Sequence, residues 1–435
     1  MSSNKMANDH QLGRQRGTLA ILIFAHIVTC CVSLAYCAHY HSPGSPFDPK
    51  SFHIFYDPAR LCDAVLVVSA FALVSSLFLF ARFSFGYFVG FYLYTMILGY
   101  LWLNCFSDLN YNHQLAGASA AASAAFFLWP VLFTSSPIGQ LYSLSPRGLD
   151  HVLQSILLLA AATIVVGASY NFRLVTLENI YDYRDKLESP TIVNYLLGMT
   201  SNALLPFAFA CYVARNDRLR AGVVLVLLLL FYPITLSKLA FFTPLWLCFI
   251  VLLSKAFETR TSVFLSLFLP ILIGVIFFTF FETPAKNYFG TINFRMTAIP
   301  SNAMDIYNDF FSRHDLTHFC QISVLKPLVY CPYQEPLGVV MKKVYGLGNF
   351  NASLFATEGA ASVGPWFAPL IVFICGLIIA LGNRLSAGLP PRFILISGAI
   401  LPQVFLNVPL TTTLLTHGAA VLFLLWYLTP RTIFE

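Results

Sequence analysis

Apolar residues in this chain come in long runs, not in the alternation of half-buried strands or the narrow stripe of a soluble helix. Crossing a bilayer takes about 20 predominantly apolar helical residues, fewer or more with tilt. Windows of that size predict twelve spans, near 18–38, 61–81, 83–106, 118–135, 150–168, 193–214, 221–236, 239–254, 262–281, 365–383, 393–409 and 413–429. Runs 221–236 and 239–254 are parted only by Ser237 and Lys238, and each is short for a full crossing. A tight hairpin is expected there. A lysine at mid-membrane costs about 2.5–3.5 kcal/mol, whereas one at the interface snorkels its ammonium into water.

Composition agrees with the pattern. Of 435 residues 58% are hydrophobic and 10% charged, and the mean hydropathy is +0.73. Soluble domains carry roughly 25% charged residues, so a soluble globular domain is excluded. The fold class expected is all-α, a polytopic transmembrane helical bundle. The formal charge of +6 is read as topology and not as a nucleic-acid footprint, because Lys and Arg collect in cytoplasmic loops. The short outer loops hold six, Lys50, Arg60, Arg173, Arg184, Lys186 and Lys238, against thirteen in the inner segments, which puts both termini in the cytoplasm. The first span follows Arg14-Gln15-Arg16 and ends in Ala35-Tyr36-Cys37-Ala38, like a signal peptide with a cleavage site. Its apolar run is long for that and eleven spans follow, so an uncleaved signal anchor is expected. Eight of the ten cysteines lie in or beside apolar runs as packing residues, and no C-x-x-C pair suggests zinc or redox chemistry. The Ala/Ser run 116–125 suits close helix approach. The absence of a visible inverted repeat weighs against a transporter.

The organisation divides into 1–281, nine spans with short loops; 282–364, a large outer loop; and 365–435, the last three spans. The large loop is expected to be ordered and to cap the membrane. Ionisable groups gather on this outer side: Lys286, Arg295, Asp305, Asp309, Arg313, His314, Asp315, His318, Lys326, Glu335, Lys342, Lys343 and Glu358 in the large loop, and Arg173, Glu178, Asp182, Arg184, Asp185, Lys186 and Glu188 in loop 169–192. A loop charge is by default a solvated face. Lys238 and Arg295 differ because apolar residues flank them, where a retained cation usually has a partner or a task. Both suit phosphate oxygens, which Arg in particular grips through two hydrogen bonds. Cys320 and Cys331 are the only cysteines of the large loop, and an oxidising exterior would join them in a structural disulfide. His314 and His318 stand four apart, but no HExxH accompanies them, so no metal is expected. The segment 345–364 is rich in glycine and amides, Asn349 and Asn351 among them, and suits close approach to a sugar. Glu358, its one carboxylate, is a candidate general base.

The stretches Leu236-Ser-Lys-Leu-Ala-Phe-Phe-Thr-Pro-Leu245, Phe294-Arg295 to Pro300, Tyr307-Asn-Asp-Phe-Phe311 and Gly348-Asn-Phe-Asn-Ala-Ser353 with Ala356-Thr-Glu-Gly359 resemble the bacterial O-antigen polymerase (oligosaccharide repeat-unit polymerase) family. The resemblance runs over roughly 170–365, and the flanking spans match in hydropathy only. It implies a multi-pass glycosyltransferase of the bacterial inner membrane with a large periplasmic loop, working on undecaprenyl-pyrophosphate-linked oligosaccharide without cofactor or metal. Membrane lipid, a chain-length regulator protein and a flippase are the implied partners. Basic residues that hold the pyrophosphate in the family fall here on Arg295 and Lys238, then Arg313 and Arg173. An acceptor hydroxyl would attack the donor's anomeric carbon as the lipid pyrophosphate leaves, with Glu358 as base and His314 or Asp309 as substitutes. An O-antigen ligase shares this layout, and a lipid-linked glycan flippase is the non-enzymatic alternative.

Overall fold

A computed structural model describes residues 2–39, 52–176, 179, 180, 183, 187, 189–281, 283–322, 325, 326, 328–347 and 350–434. Regular structure among them is helical, apart from one isolated antiparallel bridge between Ile54 and Ser107. Ten helices are long and apolar enough to cross a membrane among the described residues. Nine precede the large loop: α1 (Gln15–His39), α2 (Pro58–Phe80), α3 (Phe85–Asn104), α4 (His113–Phe133), α5 (Pro146–Tyr170), α6 (Thr191–Ala214), α7 (Arg218–Thr235), α8 (Lys238–Ala256) and α9 (Thr259–Phe280). Between α9 and the tenth lie three shorter helices, Thr283–Thr291, α10 (Ile299–Phe311) and α11 (Leu337–Tyr345). The tenth is α12 (Phe355–Ser386), after which come α13 (Pro391–Ser397), α14 (Leu410–Leu415) and α15 (Ala419–Leu428). The chain is a multi-pass membrane protein.

Helix starts follow the capping residues in the sequence. The side chains of Ser84, Ser145, Asp217 and Glu258 each accept from backbone N–H groups of the first turn of α3, α5, α7 and α9. Helix α3 is apolar all round and forms the central column, with every residue from Phe85 to Leu103 buried. A Cβ at Gly99 would stand 2.3 Å from Ser301 Oγ, so only glycine lets α10 lie against α3. Peripheral helices instead show apolar side chains outward, among them Leu66, Leu158, Val226, Leu252 and Leu370, the face a bilayer covers.

The final two expected spans differ from the sequence reading. Run 393–409 forms α13 and a second short helix, Leu401–Phe405, interrupted by a turn over 398–400. Run 413–429 breaks at Gly418, which takes φ 77°, into α14 and α15. Hydropathy detects apolar runs whether or not the helix is continuous. At Gly398 a Cβ would press on the Phe85 ring at 3.0 Å, and Pro402 lacks a backbone donor.

Successive crossings bring the connections after α1, α3, α5, α7 and α9 to one end of the bundle, called here the loop end. Contacts agree. The Ile54–Ser107 bridge joins the first two, and the Arg173 N–H donates to the Pro233 carbonyl at 2.9 Å, joining the next two. The long connection does more than cap the bundle, because every residue of α10 from Pro300 to Phe311 is buried within it. Helical structure resumes at Phe355, inside the 282–364 stretch that the sequence suggested as loop.

Candidate functional site

Three helical turns among the described residues are widened to i→i+5 hydrogen bonding, at Thr200–Leu204, Phe294–Ala298 and Phe355–Ala360. Such π-turns recur at functional sites because they turn side chains and carbonyls off the regular helical path. The first two have a local cause. Pro206 and Pro300 follow two residues later, and a proline ring clashes with the carbonyl four residues back. Those carbonyls belong to Asn202 and Met296, each inside the widened turn. The third turn precedes a break at Gly364, φ 74°, followed by Pro365. Together the turns carry Asn202, Arg295 and Glu358.

Glu358 is buried, and its carboxylate is well occupied. One oxygen accepts from the Thr411 backbone N–H (3.1 Å) and hydroxyl (3.2 Å), the other from the Thr357 hydroxyl (2.7 Å). Hydrogen bonds of this kind hold a carboxylate in one orientation. Next to it, the Thr317 N–H donates to the Ala361 carbonyl at 2.8 Å and its hydroxyl meets Ser362 Oγ at 3.0 Å. These bonds tie the segment after α10 to the Glu358 turn.

Helix α10 brings three further predicted residues together. Asp309 is fully buried, ion-paired with Arg313 and hydrogen-bonded by the Tyr345 hydroxyl at 2.6 Å. Its Oδ1 has no hydrogen-bond partner among the described residues. Burial, and then the Asp309 carboxylate, push the Tyr345 phenol above its usual range. His314 is exposed and stacks on Phe310 with ring centroids 4.0 Å apart. Its Nδ1 lies 2.8 Å from the Phe310 carbonyl, an acceptor, so Nδ1 carries the proton and Nε2 is the basic nitrogen of the neutral ring.

The cations divide. Arg295 is half-buried in a turn packed against α1, α3 and the helix Thr283–Thr291. Lys238 is half-buried at the first position of α8, just past Leu236, which turns the hairpin with φ 45°. Arg173, exposed, lies over the Tyr183 ring at 5.4 Å, and its backbone joins the Lys238 hairpin through Pro233. Arg295 and Lys238 thus pack against different helices. Asn351 is exposed and lies over Gly338, where a Cβ would come within 2.1 Å of its Oδ1. Asn349 lies outside the described residues, as do Glu178, Asp182, Arg184, Asp185, Lys186 and Glu188. Cys320 and Cys331 form a disulfide with their Cα atoms 5.2 Å apart.

Beside Lys238 a cleft of about 320 Å³ opens between α5, α6, the α7–α8 turn and the α14–α15 break. Amides of Asn171, Asn194 and Asn202, hydroxyls of Ser201, Ser237 and Thr416, and the His417 ring line it, with Leu197, Ile234 and Leu239 as its apolar wall. The Asn202 amide donates to the Gly198 carbonyl (2.8 Å) and to His417 Nδ1 (2.9 Å). The segment 410–417 therefore reaches Glu358 through Thr411 and the cleft through His417. Comparison with known proteins yields no match: no family model, curated protein or solved structure aligns with the chain.

Sequence reasoning missed two groups. Asn202 reads as a packing residue, although Pro206 four residues on signals the disturbed turn beneath it. The cluster of buried Asp305 and Ser107 with half-buried Tyr111 and Asn104 joins α10 to the α3–α4 corner, and no spacing along the chain announces that pairing.

Proposed function

We propose that this protein is a membrane glycosyltransferase that polymerises lipid-linked oligosaccharide repeat units, taking glycan from undecaprenyl-pyrophosphate at the periplasmic face of a bacterial inner membrane. The observation that carries the reading is the cleft of about 320 Å³, lined by uncharged amides and hydroxyls and by Ser237 and Leu239, the chain neighbours of Lys238. Its volume is at the small end of ligand sites, about 300–1,000 Å³. Its lining suits sugar hydroxyls, and a lysine at a helix start suits a pyrophosphate, since the first-turn N–H groups add partial positive charge.

On this reading Lys238 and Arg295 meet the negative charge that builds on the departing pyrophosphate. A general base takes the proton of the attacking hydroxyl, and Glu358, held by Thr357 and Thr411, is the first assignment for it. The test uses protein in nanodiscs with a polyprenyl-pyrophosphate-linked oligosaccharide, its products resolved on a gel. A ladder of repeat lengths is expected. Lys238→Ala and Arg295→Ala should each slow its formation about 10²–10³-fold, the effect of removing one well-placed donor to a developing negative charge. A single transfer product would mean a ligase, and lipid movement without a new glycosidic bond would mean a flippase. Either outcome overturns the polymerase reading.

A further inference from the structure

The corner between α3 and α4 closes over a buried carboxyl group. Asp305, fully buried on α10, accepts from the Ser107 hydroxyl on Oδ2 at 2.7 Å, and the Tyr111 hydroxyl meets its Oδ1. That same hydroxyl lies 2.8 Å from Asn104 Oδ1. The Asn104 amide is oriented by its Nδ2, which donates to the His113 carbonyl at 3.0 Å, so the atom facing Tyr111 is an acceptor. The Tyr100 hydroxyl stands 3.2 Å from that of Tyr111, and the Asn308 amide 3.4 Å from that of Tyr100. A phenol has one hydrogen to donate. Two acceptors face the Tyr111 hydroxyl, so the charge on Asp305 decides which of them receives it.

We propose that Asp305 is a proton-binding site at the loop end, and that its loading re-aims the Tyr111 hydroxyl from α10 to Asn104. With the proton on, the carboxylic acid donates to Tyr111, Tyr111 donates to Asn104, and the chain is continuous. With the proton released to water, the carboxylate accepts from Ser107 and Tyr111, and Asn104 Oδ1 keeps only the His113 ring, whose Nδ1 lies 2.7 Å from it and whose Nε2 lies 2.8 Å from the Leu109 carbonyl. One proton leaves, no covalent bond changes otherwise, and a hydrogen bond moves from within the corner to the joint between the corner and α10. Tyr111 and His113 are only half-buried, which gives the proton a short way out.

The groups facing Asp305 come from every element around it. Asp309, paired with Arg313, lies one turn on along α10. Tyr100 comes from α3, Asp108 from the corner and His113 from α4; His53, 3.1 Å from Asp108, comes from the segment before α2, and the Asp57–Arg60 pair spans the start of α2. Burial raises the Asp305 carboxyl to about 7; the bonds from Tyr111 and Ser107 oppose this, while the Asp309 and Asp108 charges add to it. The unfolded group sits near 3.8. Between these values the folded protein holds a proton that the unfolded chain has lost. Stability from this site is therefore full at low pH and is lost as pH rises towards and through about 7.

The inference does not depend on the glycan-transfer reading, and its test needs no substrate. Infrared difference spectra of the protein in nanodiscs, between about pH 5 and pH 8, should show a protonated-carboxyl band that disappears as pH rises. Tyr111→Phe removes the acceptor and should shift that band. Asp305→Asn should abolish it and flatten the fall of Tm with pH. If Asp305→Asn does not fold, wild type against Tyr111→Phe still decides. A band that Tyr111→Phe leaves in place, or no titrating carboxyl band in the wild type, overturns the proposal.

Discussion

The two sides of the loop end handle polar groups in opposite ways. Around α10 and the Glu358 turn, carboxylates are sealed in packing: Asp305, Asp309 and Glu358 are all buried. The void beside α10, bounded by Cys37, Phe52, Phe294 and Asn302, measures about 10 Å³, room for a single water. Around α5–α8 the polar groups are neutral amides and hydroxyls, and the space between them is about 320 Å³. One side holds charge still, and the other leaves open space. A reaction that needs a fixed base and a bulky polar substrate needs both, and segment 410–417, bonded to Glu358 through Thr411 and to Asn202 through His417, joins them.

The sharpest way to break this division is at Glu358. If the sealed side supplies the base, Glu358→Gln should cut polymer formation by about 10²–10⁴-fold, the range of general-base catalysis, with KM little changed. The amide keeps an acceptor for Thr411, so the fold should hold. Glu358→Ala goes further and leaves the Thr411 N–H without its acceptor, which costs about 1–3 kcal/mol in thermal unfolding of the reconstituted protein. Equal losses of turnover and stability in the Gln variant would reduce Glu358 to a brace for segment 410–417.

The second prediction probes the open side. Asn202→Leu removes the donor to His417 and fills part of the cleft with apolar surface. About 0.5–1.5 kcal/mol of stability should go with the hydrogen bond. KM for the lipid-linked substrate should rise with kcat preserved, the signature of lost uniform binding. A fall in kcat with unchanged KM would move the chemistry from the carboxylate side into the cleft.

How far the sequence reveals this arrangement depends on the residue. Apolar runs disclose helices such as α3 and α9, since hydropathy is a property of the run itself. The central place of α3 is not written in its run, because a core helix and a lipid-facing helix look alike when both are apolar all round. The interruptions at Gly398 and Gly418 escape hydropathy, although glycine and Pro402 are visible signals. Polar residues of α10 resemble a solvated loop: Ser301, Asn302, Asp305 and Asn308 suggest water until α3, the corner and the Phe52 carbonyl supply their partners, and Asp309 until Arg313 and Tyr345 do. Glu358, beside Gly359 and ahead of a long apolar run, is legible as a buried carboxylate, whereas its grip on Thr411, 53 positions on, is purely tertiary.

The smallest effect expected lies outside the comparison and calibrates it. Lys343 and Glu335 form an ion pair at the loop end, with side chains 63% and 45% exposed. Their attraction acts through water, and two flexible side chains lose rotamer freedom to make it, so the pair is worth about 0–1 kcal/mol and weakens further in salt. Lys343→Ala should leave polymer formation unchanged and shift Tm only slightly at low ionic strength, with the shift vanishing at high salt. The Asp309–Arg313 pair, whose carboxylate is buried although its guanidinium reaches water, should behave otherwise. Removing Arg313 strands a carboxylate that water does not reach, and its cost should survive salt. If both variants lost the same small, salt-sensitive increment, the carboxylate side would be wetter than its packing implies, and its contrast with the cleft would dissolve.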